Sequence, residues 1–432
     1  MPTLLIKNAR ILDPARGIDT EGALHVVDGR IAAVGGPAPA GADQVIDAKG
    51  LLAVPGLVDM HVHLRDPGRE DKETIATGAE AAVAGGFTSI ACMPNTTPPL
   101  DQEALVHFVA ARGAETGLAR VYPVAAVTKG QKGEELTEMA ACVRGGAVAF
   151  SDDGFPVRSS EIMRRALQYA RMLDRAILQH AEDRDLTAGG VMNEGPVATR
   201  LGLRGMPRVA EEIVVARDLA LVRATGGRYH VAHASVAETV ERIAAAKKAG
   251  LRVTAETAPH YLLLTDEALA GYDPAFKMNP PLRTARDVEA LRQGLRDGTI
   301  DAIASDHAPH TIEEKELELV NAPFGVVGLE TTLAVVLTDL VATGLLPLAR
   351  AIDALTARPA AVLGIPRGTL APGADADITL IDLKKEWTID PRDFKSKGRC
   401  TPFAGKKVRG KAVITLVGGR LLRARPEDLG AL

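Results

Sequence analysis

From Pro55 to about Ile365 the chain repeats one unit, a short apolar run followed by an Ala-rich amphipathic stretch. The runs LVDM, TSIACM, RVYPVAAV, AVAF, AILQ, YHVA, RVTAE and DAIAS are eight in number. Between them the spacing predicts helices, among them Glu73 to Ala84, Gln102 to Thr116 and Val236 to Ala249. Strands alternating with helices specify a parallel sheet, because parallel neighbours need a crossover connection rather than a tight turn. Eight units in about 300 residues fit an α/β fold of the (β/α)8 TIM-barrel type, whose sites form at the C-terminal ends of the strands. A doubly wound open sheet is the alternative, weakened because no G-x-G-x-x-G fingerprint follows the first run.

The two ends of the chain have a different texture. From Leu4 to Val54 come LLIKNARIL, ALHVV, RIAAVGG and QVIDA, separated by turn signals such as Asp28-Gly29 and Lys49-Gly50. After Gly373 the same pattern returns in ADITLIDL, EWTID and KAVITLVGGRLL. The expectation is one small β-sandwich domain built from residues 1–54 and 366–432, joined to a barrel of residues 55–365.

At 432 residues and 46% hydrophobic content, the chain has ample apolar material for a core of that size. Net charge is −4, and the densest basic stretch is only Lys406, Lys407, Arg409 and Lys411, so no nucleic-acid footprint is expected. Cys92, Cys142 and Cys400 are too few and too scattered for a disulfide framework or a CxxC knuckle, and are read as packing residues. The opening MPTLLIKNARIL lacks a signal peptide's apolar core, and no run of about 18 uncharged apolar residues occurs. A cytoplasmic protein without a membrane partner is therefore expected.

The first barrel run ends in His61-Val62-His63. Strand side chains alternate faces, so two histidines two apart point the same way and can grip one ion. Four other strand ends carry candidates to the same face: Ser151-Asp152-Asp153 after AVAF, His180 after AILQ, His233 after YHVA, and Asp306-His307 after DAIAS. Nitrogen and oxygen ligands without thiolate suit Zn²⁺ in an open hydrolytic site, with Mn²⁺ or Co²⁺ as substitutes. His25 falls in the β region and His107 in a helix, His230 faces away from His233, and His260 and His307 stay open. His310, in the loop after the eighth strand end, is within reach of a substrate.

Water held by such an ion has its pKa lowered to about 7, and the ion also polarises a carbonyl. In a two-ion arrangement His61 and His63 hold the first ion and His180 and His233 the second, with Asp153 bridging. Asp306 is best placed to move the proton, a role worth roughly 10² to 10⁴ in rate.

The segments PGLVDMHVHLRDPG, MPNTTPP, FSDDG, LQHAED, HVAHAS, ETAPHY, MNPPLR, SDHAPH and APFGVVGLET span nearly the whole barrel. In order and spacing they resemble the amidohydrolase superfamily and, within it, the dihydroorotases of the long bacterial type. The resemblance implies reversible conversion of N-carbamoyl-L-aspartate to dihydroorotate, a step of pyrimidine synthesis. It also implies two zinc ions per subunit, a homodimer, and aspartate transcarbamoylase as a partner. Arg65 offers the forked guanidinium that suits the substrate's carboxylate. His63, Asn95, Asn279, His310 and the Phe324-Gly325 backbone match family substrate contacts. Where much of the superfamily bridges its metals with a carboxylated lysine, this chain has FSDDG, so Asp153 takes that place. Asp66, Arg69 and Tyr261 depart from the commoner Glu, Gln and His, beside the motifs rather than in them.

Two rival functions remain at this level. A hydantoinase or allantoinase has substrates without the carboxylate that Arg65 and Asn95 suit. A non-catalytic scaffold for the transcarbamoylase would have lost ligands, and all six are present here. The charged loop from Thr311 to Pro323 is either a lid over the substrate or a solvated connection.

Overall fold

The computed structural model describes residues 2–36 and 41–423. Met1, residues 37–40 and residues 424–432, parts of the expected small unit, lie outside the described residues. All eight sequence runs form neighbouring parallel strands, in chain order: Leu57–Val62, Phe87–Cys92, Arg120–Ala125, Ala149–Phe150, Ala176–Gln179, Arg228–Val231, Val253–Thr257 and Ala302–Ile303. The three expected helices occupy Ile75–Gly85, Glu103–Thr116 and Ala237–Lys248. The first starts two residues later than its apolar pattern, because Thr74 caps it: its side chain accepts from the Thr77 amide while the Thr77 hydroxyl bonds back.

The barrel closes at its C-terminal mouth. Val62 and His307 form a parallel bridge, and the His63 amide donates to the His307 carbonyl at 2.8 Å. Deeper in the seam a side chain replaces the missing ladder: buried Asp59 accepts from the Ser305 amide at 3.1 Å and the His61 amide at 3.1 Å. Burial pushes the Asp59 carboxyl up to about 7.

The chain ends make one mostly antiparallel eight-stranded sheet. It forks at Thr3–Asp13, whose first half pairs with Gln44–Asp47 and whose second half meets Leu52–Pro55. Between those halves lies a register shift. The sheet encloses its own core of Ile6, Ile11, Leu24, Ile46, Ile378 and Ile414. Leu52–Pro55 pairs with Ile378–Thr388 and runs on into the first barrel strand, so the sheet sets where that strand enters. Among the described residues no helix is long and apolar enough to cross a membrane.

Candidate active site

Five strand ends deliver their side chains to one buried cluster. His61, His63, Asp153, His180 and His233 are all at most 5% exposed, and Asp306 is 8% exposed. Asp153 is the hub. Its carboxylate lies 3.4 Å from His61 Nε2, 3.5 Å from His63 Nε2, 3.6 Å from His233 Nε2 and 3.8 Å from His180 Nδ1. Asp306 Oδ1 stands 3.4 Å from His63 Nε2 and 3.7 Å from His61 Nε2. Three of the residues at this mouth, Arg65, His233 and Asp306, have left-handed backbone, with φ of 60°, 34° and 48°. For side-chain-bearing residues that conformation costs about 1–3 kcal/mol each, and it persists where surrounding packing enforces it.

What each imidazole offers the cluster is decided at its rear nitrogen. His61 Nδ1 is 2.6 Å from Glu256 Oε1, His63 Nδ1 is 2.8 Å from Asn95 Oδ1, and His180 Nε2 is 3.0 Å from Glu182 Oε2. Each acceptor holds the proton on that nitrogen, so the lone pair of the other faces Asp153. Neither His61 Nε2 nor Asp153 Oδ1 has a hydrogen-bond partner, although both are buried. Two acceptors facing each other away from water are unfavourable unless a cation lies between them. Electrostatics says the same. Burial alone would lower His61 and raise Asp153, but Asp153 and Glu256 hold the imidazole well above its usual range, and His61 helps hold Asp153 well below. A position that binds a proton so strongly also favours a metal ion. Two triads meet the spacing for one, His61 with Asp153 and His233, and His61 with His63 and Asp306. His180 joins neither triad and instead lies with Nδ1 2.8 Å from His233 Nε2. Against the opposing effect of burial, His63 and the other imidazoles keep Asp306 below the usual carboxylate range, so it is ionised at neutral pH.

Glu256 and Glu182 carried no role in the sequence reading. Glu256 ends the run RVTAE, and its second oxygen lies 3.3 Å from His230 Nε2, so His230 sits behind it and off the cluster. Glu182 comes two residues after His180 and also accepts from Asn279 Nδ2 at 3.1 Å. Of the histidines left open, His307 Nε2 meets buried Glu73 at 3.2 Å, behind Asp306. His260 packs on the Tyr261 ring, and burial pushes its pKa down to about 4.

The other side of the mouth is basic. Arg65 donates through Nε to the Pro309 carbonyl at 3.2 Å, and burial lowers its guanidinium to about 10, still charged at neutral pH. His310 Nε2 meets the Phe324 carbonyl at 2.8 Å, while its Nδ1 lies 3.1 Å from Lys72 Nζ and 3.0 Å from Glu314 Oε2. Burial, followed by Arg65 and Lys72, drives His310 down to about 3, so the ring is neutral and donates to Phe324. The loop from Thr311 begins with a short helix, Ile312–Lys315, and Glu314 ties it to Lys72 at 2.8 Å and Arg69 at 3.2 Å.

The comparisons with known proteins agree with this architecture. The dihydro-orotase-like family model matches residues 50–239. The chain is 55% identical to a dihydroorotase of Pelotomaculum thermopropionicum, over 97% of this chain and 98% of that one. It is 53% identical to a dihydroorotase of Syntrophotalea carbinolica over the same shares. Among solved structures it superposes on an L-hydantoinase (dihydropyrimidinase) from Arthrobacter aurescens with a TM-score of 0.87 at 29% identity, covering 98% of this chain and 96% of that one. The shared barrel is thus wider than the shared sequence, and by sequence along its whole length the chain belongs to the dihydroorotase family.

Proposed function

We propose that this chain is a zinc-dependent dihydroorotase, interconverting N-carbamoyl-L-aspartate and dihydroorotate in pyrimidine synthesis. The observation that carries this reading is the ring of four imidazoles around Asp153, with ionised Asp306 at its edge. His61, His63, Asp153, His180, His233 and Asp306 would hold two ions, with Asp153 between them. When bound, Zn²⁺ supplies Lewis-acid polarisation of the amide carbonyl and acidifies water. Asp306 takes a proton from the water as its oxygen adds to the ring amide carbonyl and gives it to the nitrogen as the carbon–nitrogen bond breaks; in the reverse direction it draws that proton from the carbamoyl nitrogen as the ring closes and gives it to the departing oxygen. Arg65 receives the substrate carboxylate as a fork, with His310, Asn95, Asn279 and the Phe324-Gly325 main chain around it. Asn95 would serve both halves of the site, since its Oδ1 is taken by His63 and its amide nitrogen is the group left for substrate.

The test is hydrolysis of dihydroorotate, followed by loss of ultraviolet absorbance, with zinc measured alongside. Asp306→Asn keeps an oxygen for the metal but cannot take the proton. Wild-type turnover that disappears in this variant at unchanged zinc content supports the reading. The likeness to an L-hydantoinase favours one second reading, so a substituted hydantoin belongs in the same assay. A zinc-loaded wild type active on the hydantoin and not on dihydroorotate would replace the first reading with the second. Inactivity on both would leave the scaffold role.

A further inference from the structure

Two lysines at the basic side of the mouth are buried, Lys277 at 3% and Lys315 at 8% exposure. A lysine so placed usually pairs with a carboxylate. These two bond to main chain instead. Lys277 Nζ donates to the carbonyls of Leu319 at 2.7 Å, Val320 at 3.1 Å and Ala322 at 2.6 Å, three protons for three oxygens. Lys315 Nζ donates to the carbonyls of Pro323 at 3.0 Å and Gly325 at 2.9 Å. His310 takes the one between, at Phe324. From Leu319 to Gly325, then, every carbonyl except that of Asn321 faces one of three basic side chains.

This stretch has no ladder or helix to satisfy those oxygens, and a loop that gave them to water would gain motion. The ammonium groups take the place of that water. Charge-assisted bonds of this kind are roughly twice as strong as neutral ones. The stretch is closed from other directions too. The Gly325 amide donates to the Lys277 carbonyl at 3.0 Å, and Lys277 Nζ lies 4.7 Å from the Phe324 ring centre. A Cβ on Gly325 would come within 2.8 Å of the Ala308 carbonyl, so the main chain there is pressed against the segment that carries Asp306.

We infer that Lys277 and Lys315 are positioning residues for the substrate: by wrapping the 319–325 main chain around their ammonium groups they fix Phe324-Gly325 against His310. The inference rests on the dihydroorotase reading, and concerns the half of the site that no metal holds.

The test uses the full-length, zinc-loaded protein with Lys277→Met and Lys315→Met, reading kcat, KM for dihydroorotate, zinc content and amide hydrogen exchange. Loosening the main chain that meets the substrate should raise KM about tenfold or more with kcat within about threefold. Zinc content should hold, and faster exchange should be confined to residues 316–326. Lys277→Arg, which keeps charge and donors, should recover part of the loss in KM. Faster exchange with KM unchanged would overturn the inference, and so would losses of kcat, zinc and protection across the whole barrel. If Lys277→Met does not fold, Lys315→Met carries the same comparison with two bonds removed instead of three. A wild type that holds zinc and leaves dihydroorotate untouched would sink the functional reading itself, and is seen before any lysine is changed.

Discussion

The two sides of the barrel mouth are built by opposite means. On the side proposed to hold metal, called the metal side below, side chains project from strand ends, and the groups behind them are acceptors: Glu256 behind His61, Asn95 behind His63, Glu182 behind His180. On the side proposed to take the substrate, main chain projects from a loop, and the groups behind it are cations: Lys277, Lys315, and Lys72 beside His310. Each side is backed by charge opposite to that of what it would bind. A cation site needs its imidazoles deprotonated on the inner nitrogen, which a rear carboxylate secures. An anion site needs a rigid rim without carboxylates turned inward, which ammonium groups bonded to carbonyls provide. The lesson is that the division of labour lies one layer behind the contact surface.

Changes that break only one side sharpen this contrast. Asp153→Ala removes the hub of the metal side and should abolish both zinc retention and turnover, measured by metal analysis and the dihydroorotate assay; retained zinc with retained activity would show that the hub is dispensable. Deleting Glu313 to Leu319 removes Lys315 and the Glu314 ties, and should cost about a hundredfold in turnover through misplacement while zinc stays bound. Unchanged turnover in that deletion would make the loop a mere connection. Glu256→Gln keeps the shape behind His61 and loses the charge, so zinc affinity or activity should fall about 10- to 100-fold, read by competition with a chelator. The smallest effect expected is that of Arg65→Lys, about tenfold in KM with zinc and kcat little changed, because an ammonium cannot reproduce the fork. A matching loss of zinc there would mean that the two sides are not separable.

Much of the metal side can be read in the sequence because strand periodicity is a geometric rule. HVH at the end of an apolar run puts two imidazoles on one face, and the count of eight runs puts the other strand ends at the same mouth. The rear acceptors were also within reach. Glu182 is two residues beyond His180, on a continuation of the same face, and Glu256 is a carboxylate closing an apolar run, where only a partner would justify its burial. The basic side is not legible in this way. A lysine is solvated by default, and nothing in FKMNPP says that Lys277 will turn inward to meet oxygens more than 40 residues later. Carbonyl direction in an irregular loop follows from tertiary closure, which no local pattern encodes. The chain-end sheet falls between these cases: its strands are plain in the alternating runs, while the fork at Thr3–Asp13 depends on a register shift.

The seam between the first and last barrel strands bears on how the protein is made. The bonds from Asp59 to the Ser305 amide span 246 residues, and Asp306 comes only after them. At the ribosome's pace of about 5–20 residues per second, His61 and His63 would wait roughly 12 to 50 s for that partner. Until it arrives, the pair lacks its closing strand and Asp306, although Asp153 and Glu256 have already been made. A metal ion caught before Asp153 is made would be held by two imidazoles alone and readily lost. Topology thus splits loading in two, so a chain truncated before residue 305 would carry the triad of His61, Asp153 and His233 without that of His61, His63 and Asp306, and should keep less metal than the full chain.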